Sequence, residues 1–170
     1  MDDDGREVGP GEHGELWHRG AMVVPGYWEN REATEREFVA GYWKSGDIGS
    51  KEALRFVYVH DRKKDMINRG GYKIYTAEVE SALLAVPGIR EAAVVAKPCP
   101  ILGERVHAVV TVETDAAADE DALAAHCATE LADYQRPESF TVRTDPLPRN
   151  ANGKIMKRLI REELGFVSKG

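Results

Sequence analysis

The chain has 170 residues, 42% of them hydrophobic, enough to pack a core of one or two small domains. Its formal net charge of -6 argues against the basic footprint of a nucleic-acid binder, and no run of about 18 apolar residues offers a membrane span. The amino terminus, Met1-Asp2-Asp3-Asp4, is acidic where a signal peptide is basic, so a cytoplasmic protein is expected. Cys99 and Cys127 have neither CxxC spacing nor a histidine cluster beside them, which predicts buried small hydrophobes and no metal site.

In chain order, residues 1–14 are rich in Gly and Asp and read as a loop. Short strands are predicted at residues 15–19 and 22–24, a helix at 31–38, and extended segments at 42–45 and 54–59. Together they make a small β-rich module. Residues 61–80 follow as a joint, in which basic side chains surround Gly70-Gly71 and a helix opens at once, with Thr76 as its predicted N-cap and Val79, Ala82, Leu83 and Val86 on one face. Beyond Pro87-Gly88 come apolar, β-branched strands at 91–96 and 106–113, then an amphipathic helix at 116–131 that aligns Leu123, Cys127 and Leu131. A third strand at 140–143 and a helix at 155–164 complete an α+β lobe, a sheet of about three strands with flanking helices. The final Ser168-Lys169-Gly170 misses the peroxisomal Ser-Lys-Leu address by one residue.

Positive charge is confined to two stretches. Residues 61–73 hold five basic and two acidic side chains, residues 149–161 five basic and none acidic, and the remainder is strongly acidic. Such a distribution suits a small polyanion, a nucleotide for example, better than a long duplex.

Four segments carry a resemblance. They are Gly14-Glu15-Leu16-Trp17-His18-Arg19-Gly20 with Gly26-Tyr27, Thr34 and Phe38; Lys44-Ser45-Gly46-Asp47; Arg62-Lys63-Lys64 with the Gly70-Gly71 hairpin and Glu78; and Leu147-Pro148 through Gly153-Lys154-Ile155. In this order they resemble the motifs of the adenylate-forming superfamily, the acyl-CoA synthetases and their relatives. Asp61 stands where that family has a glycine, and Lys44 and Ser45 are conservative departures.

The resemblance implies a division into residues 1–60, the β-rich end of a large N-terminal AMP-binding domain, a hinge at 61–64, and a C-terminal domain at 65–170. It implies that Asp47 accepts from the ribose hydroxyls of ATP, that Arg62 also serves the nucleotide, and that Lys64 is the pivot. Lys154 is the implied catalytic lysine, donating to the carboxylate and the α-phosphate during adenylation. Gly70 and Gly71 would line the tunnel for the CoA thiol, with Tyr134 and Arg136 near the CoA nucleotide. ATP, CoA and magnesium are the implied cofactors, the magnesium ligands being expected in an N-terminal part outside this chain. The implied partners are a small carboxylate, CoA, that missing domain, and a lysine acetyltransferase acting on Lys154.

The expectation is therefore the C-terminal fragment of an ATP-dependent, AMP-forming carboxylate–CoA ligase, active in fatty-acid or other acid metabolism and inert alone. An adenylation domain that loads a carrier protein in trans, or a non-catalytic module that binds CoA or a partner, are the alternatives. The chain stops 16 residues after Lys154 with no carrier domain following, which favours the free-standing ligase.

Overall fold

The computed structural model describes residues 1–54, 56–113 and 119–166. They form two compact units, Met1–Lys64 and Asp65–Gly170.

The first unit is an antiparallel sheet built around one long strand. Strand β1 (Gly14–His18), helix α1 (Arg31–Glu37), β2 (Phe38–Val39), β3 (Tyr42–Lys51) and β4 (Val57–Arg62) follow in order, and β3 pairs with each of the other three strands. Asn30 caps α1 by accepting the Ala33 amide at 3.0 Å. Among the described residues of this unit, Ile48 is the only buried hydrophobic side chain. Met22, Trp28, Leu54, Phe56 and Val59 lie open to solvent.

Two expectations change here. No strand forms at residues 22–24, which bend across the surface with Met22 almost fully exposed. The segment predicted at 54–59 begins only at Val57 and continues through Asp61 and Arg62, because both residues find register partners on β3.

The second unit is a sheet covered on both faces. It comprises β5 (Ile67–Arg69), β6 (Tyr72–Ile74), α2 (Thr76–Leu84), β7 (Ile89–Cys99), β8 (Gly103–Val112), α3 (Glu120–Glu130), β9 (Ser139–Arg143) and α4 (Lys157–Glu163). The order β6-β5-β8-β7, with β9 running parallel beside β8, gives five strands rather than about three. The extra two are the three-residue arms of the Gly70-Gly71 hairpin, too short to show a period in sequence.

Alternation along β7 and β8 sorts the core. Ala92, Val94, Val106, Ala108 and Val110 pack with Val79, Leu83, Leu123 and Cys127, while Ala93, Val95 and Val109 pack with Leu147 and Ile160 on the opposite face. Burial on both faces is why these strands read as continuous apolar runs. Both cysteines are buried and free. Of the helix predicted at 116–131, residues 116–118 lie outside the described residues, as do Ser168-Lys169-Gly170; Asp119 caps α3 through the Ala122 amide.

Thr76 is not the N-cap. Tyr75 holds that position without a side-chain bond, and Thr76 is the first helical residue, fully buried. Its hydroxyl serves instead as acceptor for Lys157 Nζ at 2.6 Å, and that amine also pairs with Glu80 at 2.7 Å. The Glu80 carboxylate accepts the Val94 amide at 2.8 Å, so α2, β7 and α4 are tied at one point.

Candidate active-site residues

In the first unit, the Ser-Gly-Asp segment is not a free turn but the middle of β3. Asp47 and Arg62 are register partners, and Arg62 Nε lies 2.8 Å from Asp47 Oδ1. Ser45 holds the segment from below, donating to Leu16 O at 2.8 Å and accepting the Asp47 amide at 3.0 Å. Among the described residues Asp47 Oδ2 has no partner, so a part-exposed carboxylate oxygen remains open to a hydroxyl donor.

Buried Glu15 steadies the same corner, accepting the Gly46 amide at 3.3 Å and pairing with Lys63 at 3.1 Å. Burial works against the Lys63 charge, yet Asp3 and Glu15 on either side raise its amine above the ordinary range. Lys64, the last residue of this unit, is exposed in the turn after β4.

The remaining motif positions of this unit are braces. Thr34 Oγ1 accepts the Tyr27 amide at 2.9 Å and donates to Asn30 O at 2.8 Å, Tyr27 packs edge-on against Phe38, and Trp43 Nε1 donates to the Tyr27 hydroxyl at 3.1 Å. A Cβ on Gly26 would stand 2.6 Å from Thr34 Cγ2, which explains the glycine. A groove of about 390 Å³ between residues 7–10 and β1 is lined by none of the candidate site residues.

In the second unit, Lys154 sits on a tight loop that an isolated bridge between Arg149 and Ile155 closes. Asn150 Oδ1 accepts the amides of Asn152 at 3.0 Å and Lys154 at 2.9 Å, and Asn150 N and Lys154 O bond at 3.0 Å. Leu147, 2% exposed, anchors the loop in the core beside Ile160. The Lys154 side chain is exposed and, among the described residues, has no partner.

Three contributors to this loop were given no role from the sequence, although Arg149 and Asn150 lie inside the Leu147–Ile155 segment. Glu91, Arg149 and Asn150 hold it, and Glu91 stands 58 positions before Arg149. Burial alone would raise the Glu91 carboxyl; the Leu147 amide and Arg149 outweigh it and hold the group below the usual carboxylate range.

The glycine hairpin lies elsewhere on the sheet. Gly70 and Gly71 have φ of 59° and 94°, the paired left-handed conformation of a two-residue hairpin turn. Gly70 N donates to Leu102 O at 2.9 Å, which docks the turn on the β7–β8 connection. Tyr134 stacks on Tyr72 with ring centroids 4.9 Å apart, and Arg69 Nη1 reaches Tyr134 O at 3.3 Å, so Tyr134 joins the hairpin. Arg136 is engaged differently. Its guanidinium bonds Leu131 O at 3.0 Å and Ala128 O at 2.9 Å, capping the carbonyl end of α3, and it pairs with Asp133.

The Lys154 loop is fastened at Glu91 and the hairpin near Cys99 and Gly103. These anchor points lie eight residues apart along β7, about 26 Å at the rise of an extended strand.

Residues 78–154 match the family model of the AMP-binding enzyme C-terminal domain. The chain is 39% identical over 162 residues to a 2-succinylbenzoate–CoA ligase of Bacillus velezensis, covering 95% of this chain and 33% of that protein. To a long-chain-fatty-acid–CoA ligase of Escherichia coli O157:H7 it is 38% identical over 163 residues, covering 96% of this chain and 29% of that one. The crystal structure of ATP-bound MatB from Rhodopseudomonas palustris superposes with a TM-score of 0.88 at 34% identity, over 95% of this chain and 32% of that one. The chain thus spans about a third of the length of these relatives. Over that third, the chain belongs to the adenylate-forming enzymes and carries their C-terminal AMP-binding-enzyme domain.

Proposed function

We propose that this chain supplies the C-terminal part of an AMP-forming carboxylate–CoA ligase, with Lys154 as the lysine of the adenylation step. One observation carries the reading: a solvent-facing amine with no partner among the described residues stands on a loop whose backbone is fixed by side-chain bonds. Attack of a carboxylate on the α-phosphorus of ATP crowds negative charge as pyrophosphate leaves. An ammonium held in reach stabilises that charge, and losing one such donor typically costs about 3 to 4 kcal/mol. A lysine with an internal salt-bridge partner would first have to break it.

The other assignments are parts of the same proposal. Asp47 Oδ2 is available to the ribose hydroxyls, with Arg62 fixing the carboxylate and adding positive charge beside the nucleotide. The Gly70-Gly71 turn, with Tyr134 beside it, lines the path of the CoA thiol, and the part-exposed Arg136, although each of its guanidinium nitrogens already has a partner, is assigned to the CoA phosphates. The separation of the Lys154 and Gly71 anchors along one covered sheet supports a rotation about Lys64 that presents one, then the other. The magnesium ligands that the family likeness implies are assigned to sequence outside this chain. Two relatives named for different acids, succinylbenzoate and long-chain fatty acid, match this chain about equally well, which supports a reading in which acyl selection lies outside it too. On this reading the 170 residues alone do not adenylate, the complete enzyme is cytoplasmic, and acetylation of Lys154 by a lysine acetyltransferase would switch adenylation off.

The test separates the half-reactions in the full-length ligase. Lys154→Ala abolishes ATP–pyrophosphate exchange but leaves thioester formation from supplied acyl-adenylate. Equal loss of both steps, or exchange catalysed by the isolated 170 residues, contradicts the proposal.

A further inference from the structure

The Lys154 loop is gripped from outside its own motif. Glu91 Oε2 accepts the Leu147 amide at 2.8 Å and the Thr111 hydroxyl at 3.4 Å, while Oε1 accepts Arg149 Nε at 3.1 Å and pairs with Arg149 Nη2. Arg149 turns its other amino group, Nη1, to the carbonyl of Gly153. That carbonyl belongs to the peptide unit whose nitrogen is Lys154 N, and Lys154 N donates to Asn150 Oδ1 at 2.9 Å. Both polar atoms of the peptide plane entering Lys154 are therefore held, the oxygen by Arg149 and the nitrogen by Asn150. With that plane fixed, the direction in which the lysine leaves the backbone is restricted.

We propose that Glu91 is a positioning residue for the Lys154 amine and acts through the Arg149 guanidinium, an inference that rests on the reading of Lys154 as the adenylation lysine. Stability alone does not account for the arrangement. Leu147 is buried and its amide is bound by Glu91 Oε2, so that oxygen secures the base of the loop, while Oε1 is the one that holds Arg149. The Arg149 side chain is 43% exposed, a setting in which ion pairs contribute little to folding. What the guanidinium adds is geometry: a rigid planar fork spans a carboxylate on β7 and a carbonyl at the loop tip, which a single ammonium on a flexible stem does not reproduce. A misplacement of about 1 Å at a reacting group can cost on the order of 100-fold in rate.

The experiment uses the full-length ligase and measures adenylation by ATP–pyrophosphate exchange and thioester formation from supplied acyl-adenylate separately. Arg149→Met, Arg149→Lys, Glu91→Gln, the Glu91→Gln/Arg149→Met pair and Lys154→Ala are compared. The expected result is a fall of roughly 10- to 100-fold in adenylation kcat for Arg149→Met and Glu91→Gln, with KM for ATP and the thioester step unchanged. The double variant is no worse than the worse single one, since both cut the same chain of contacts. Arg149→Lys restores charge without the fork and stays slow; recovery to wild-type rate would reduce the role to charge and overturn the proposal. Parallel loss of both half-reactions would make the clamp merely structural. Arg149→Met is at an exposed position and keeps the test open should Glu91→Gln misfold. Wild-type adenylation in Arg149→Met, with Lys154→Ala dead, overturns the clamp and leaves the lysine assignment standing. Survival of adenylation in Lys154→Ala overturns that assignment and the clamp with it.

Discussion

Asp47 and Arg62 face each other across the β3–β4 ladder, with the guanidinium Nε 2.8 Å from one carboxylate oxygen. Both side chains are partly exposed, at 34% and 50%, so their pairing contributes no more than about 1 kcal/mol to folding. Asp47→Asn should therefore leave the unfolding midpoint of the first unit nearly unchanged while weakening nucleotide binding by the full-length enzyme. The three tryptophans, Trp17, Trp28 and Trp43, all lie in this unit, so their fluorescence reports its unfolding alone. Unfolding of the unit by this single change would show the pair to be structural.

Gly71 tests the turn rather than a contact. Its φ of 94° is strained for any residue with a Cβ, yet a Cβ there would meet nothing within 4 Å. Gly71→Ala should thus cost about 1 to 2 kcal/mol through backbone strain alone, and Gly71→Asn less, because Asn tolerates the left-handed region. Urea denaturation followed by circular dichroism measures both. Equal costs for the two substitutions would point to packing instead of backbone conformation.

How much of this was legible in the sequence depended on range. The apolar strands β7 and β8, helix α3 and the Lys154 turn follow from local pattern, and the structure has them within a few residues of their predicted positions. Strand β3 was legible only at its start, residues 42–45, because Ser45-Gly46-Asp47 carries turn chemistry and its pairing with β1 and β4 is what keeps the chain extended beyond it. Thr76 has the right side chain for a cap, but Lys157, 81 positions away, claims the hydroxyl. The Glu91 clamp was invisible for the same reason. A carboxylate and a guanidinium 58 residues apart have no spacing rule, and only the β7–β8 ladder and the buried Leu147 bring them together.

Lys157 offers the strongest stability prediction. Its amine and the Glu80 carboxylate are 15% and 19% exposed; the amine also donates to the Thr76 hydroxyl, and the carboxylate also accepts the Val94 amide. Lys157→Met removes the cation from beside a largely buried carboxylate, at a cost of roughly 2 to 3 kcal/mol. Glu80→Gln with Lys157→Met should recover part of that loss, since the carboxylate charge is removed together with the ammonium that faced it. A double variant less stable than Lys157→Met would refute this account of the cost.

His107 sets a pH dependence. The ring is 4% exposed on β8, hydrogen-bonded to Ser139 Oγ at 2.7 Å and Thr141 Oγ1 at 3.1 Å, with Phe166 edge-on to it. Burial, with help from the Lys97 charge, lowers its pKa from 6.5 to about 4. Between these values the unfolded chain binds a proton that the folded one refuses, so stability is full above pH 6.5 and falls as the pH drops towards 4. The loss amounts to on the order of 3 kcal/mol across the window. The depressed Glu91 carboxyl adds its own loss only below its ordinary value of 4.5, so measurements between about pH 5 and 7 exclude its contribution, and the His107→Gln comparison separates His107 from the other histidines. Urea midpoints by circular dichroism should decline over that range in the native chain and stay nearly level in His107→Gln, whatever the absolute stability of the variant. The same decline in both would assign the pH dependence to other groups and show that His107 accepts its proton without loss of the fold.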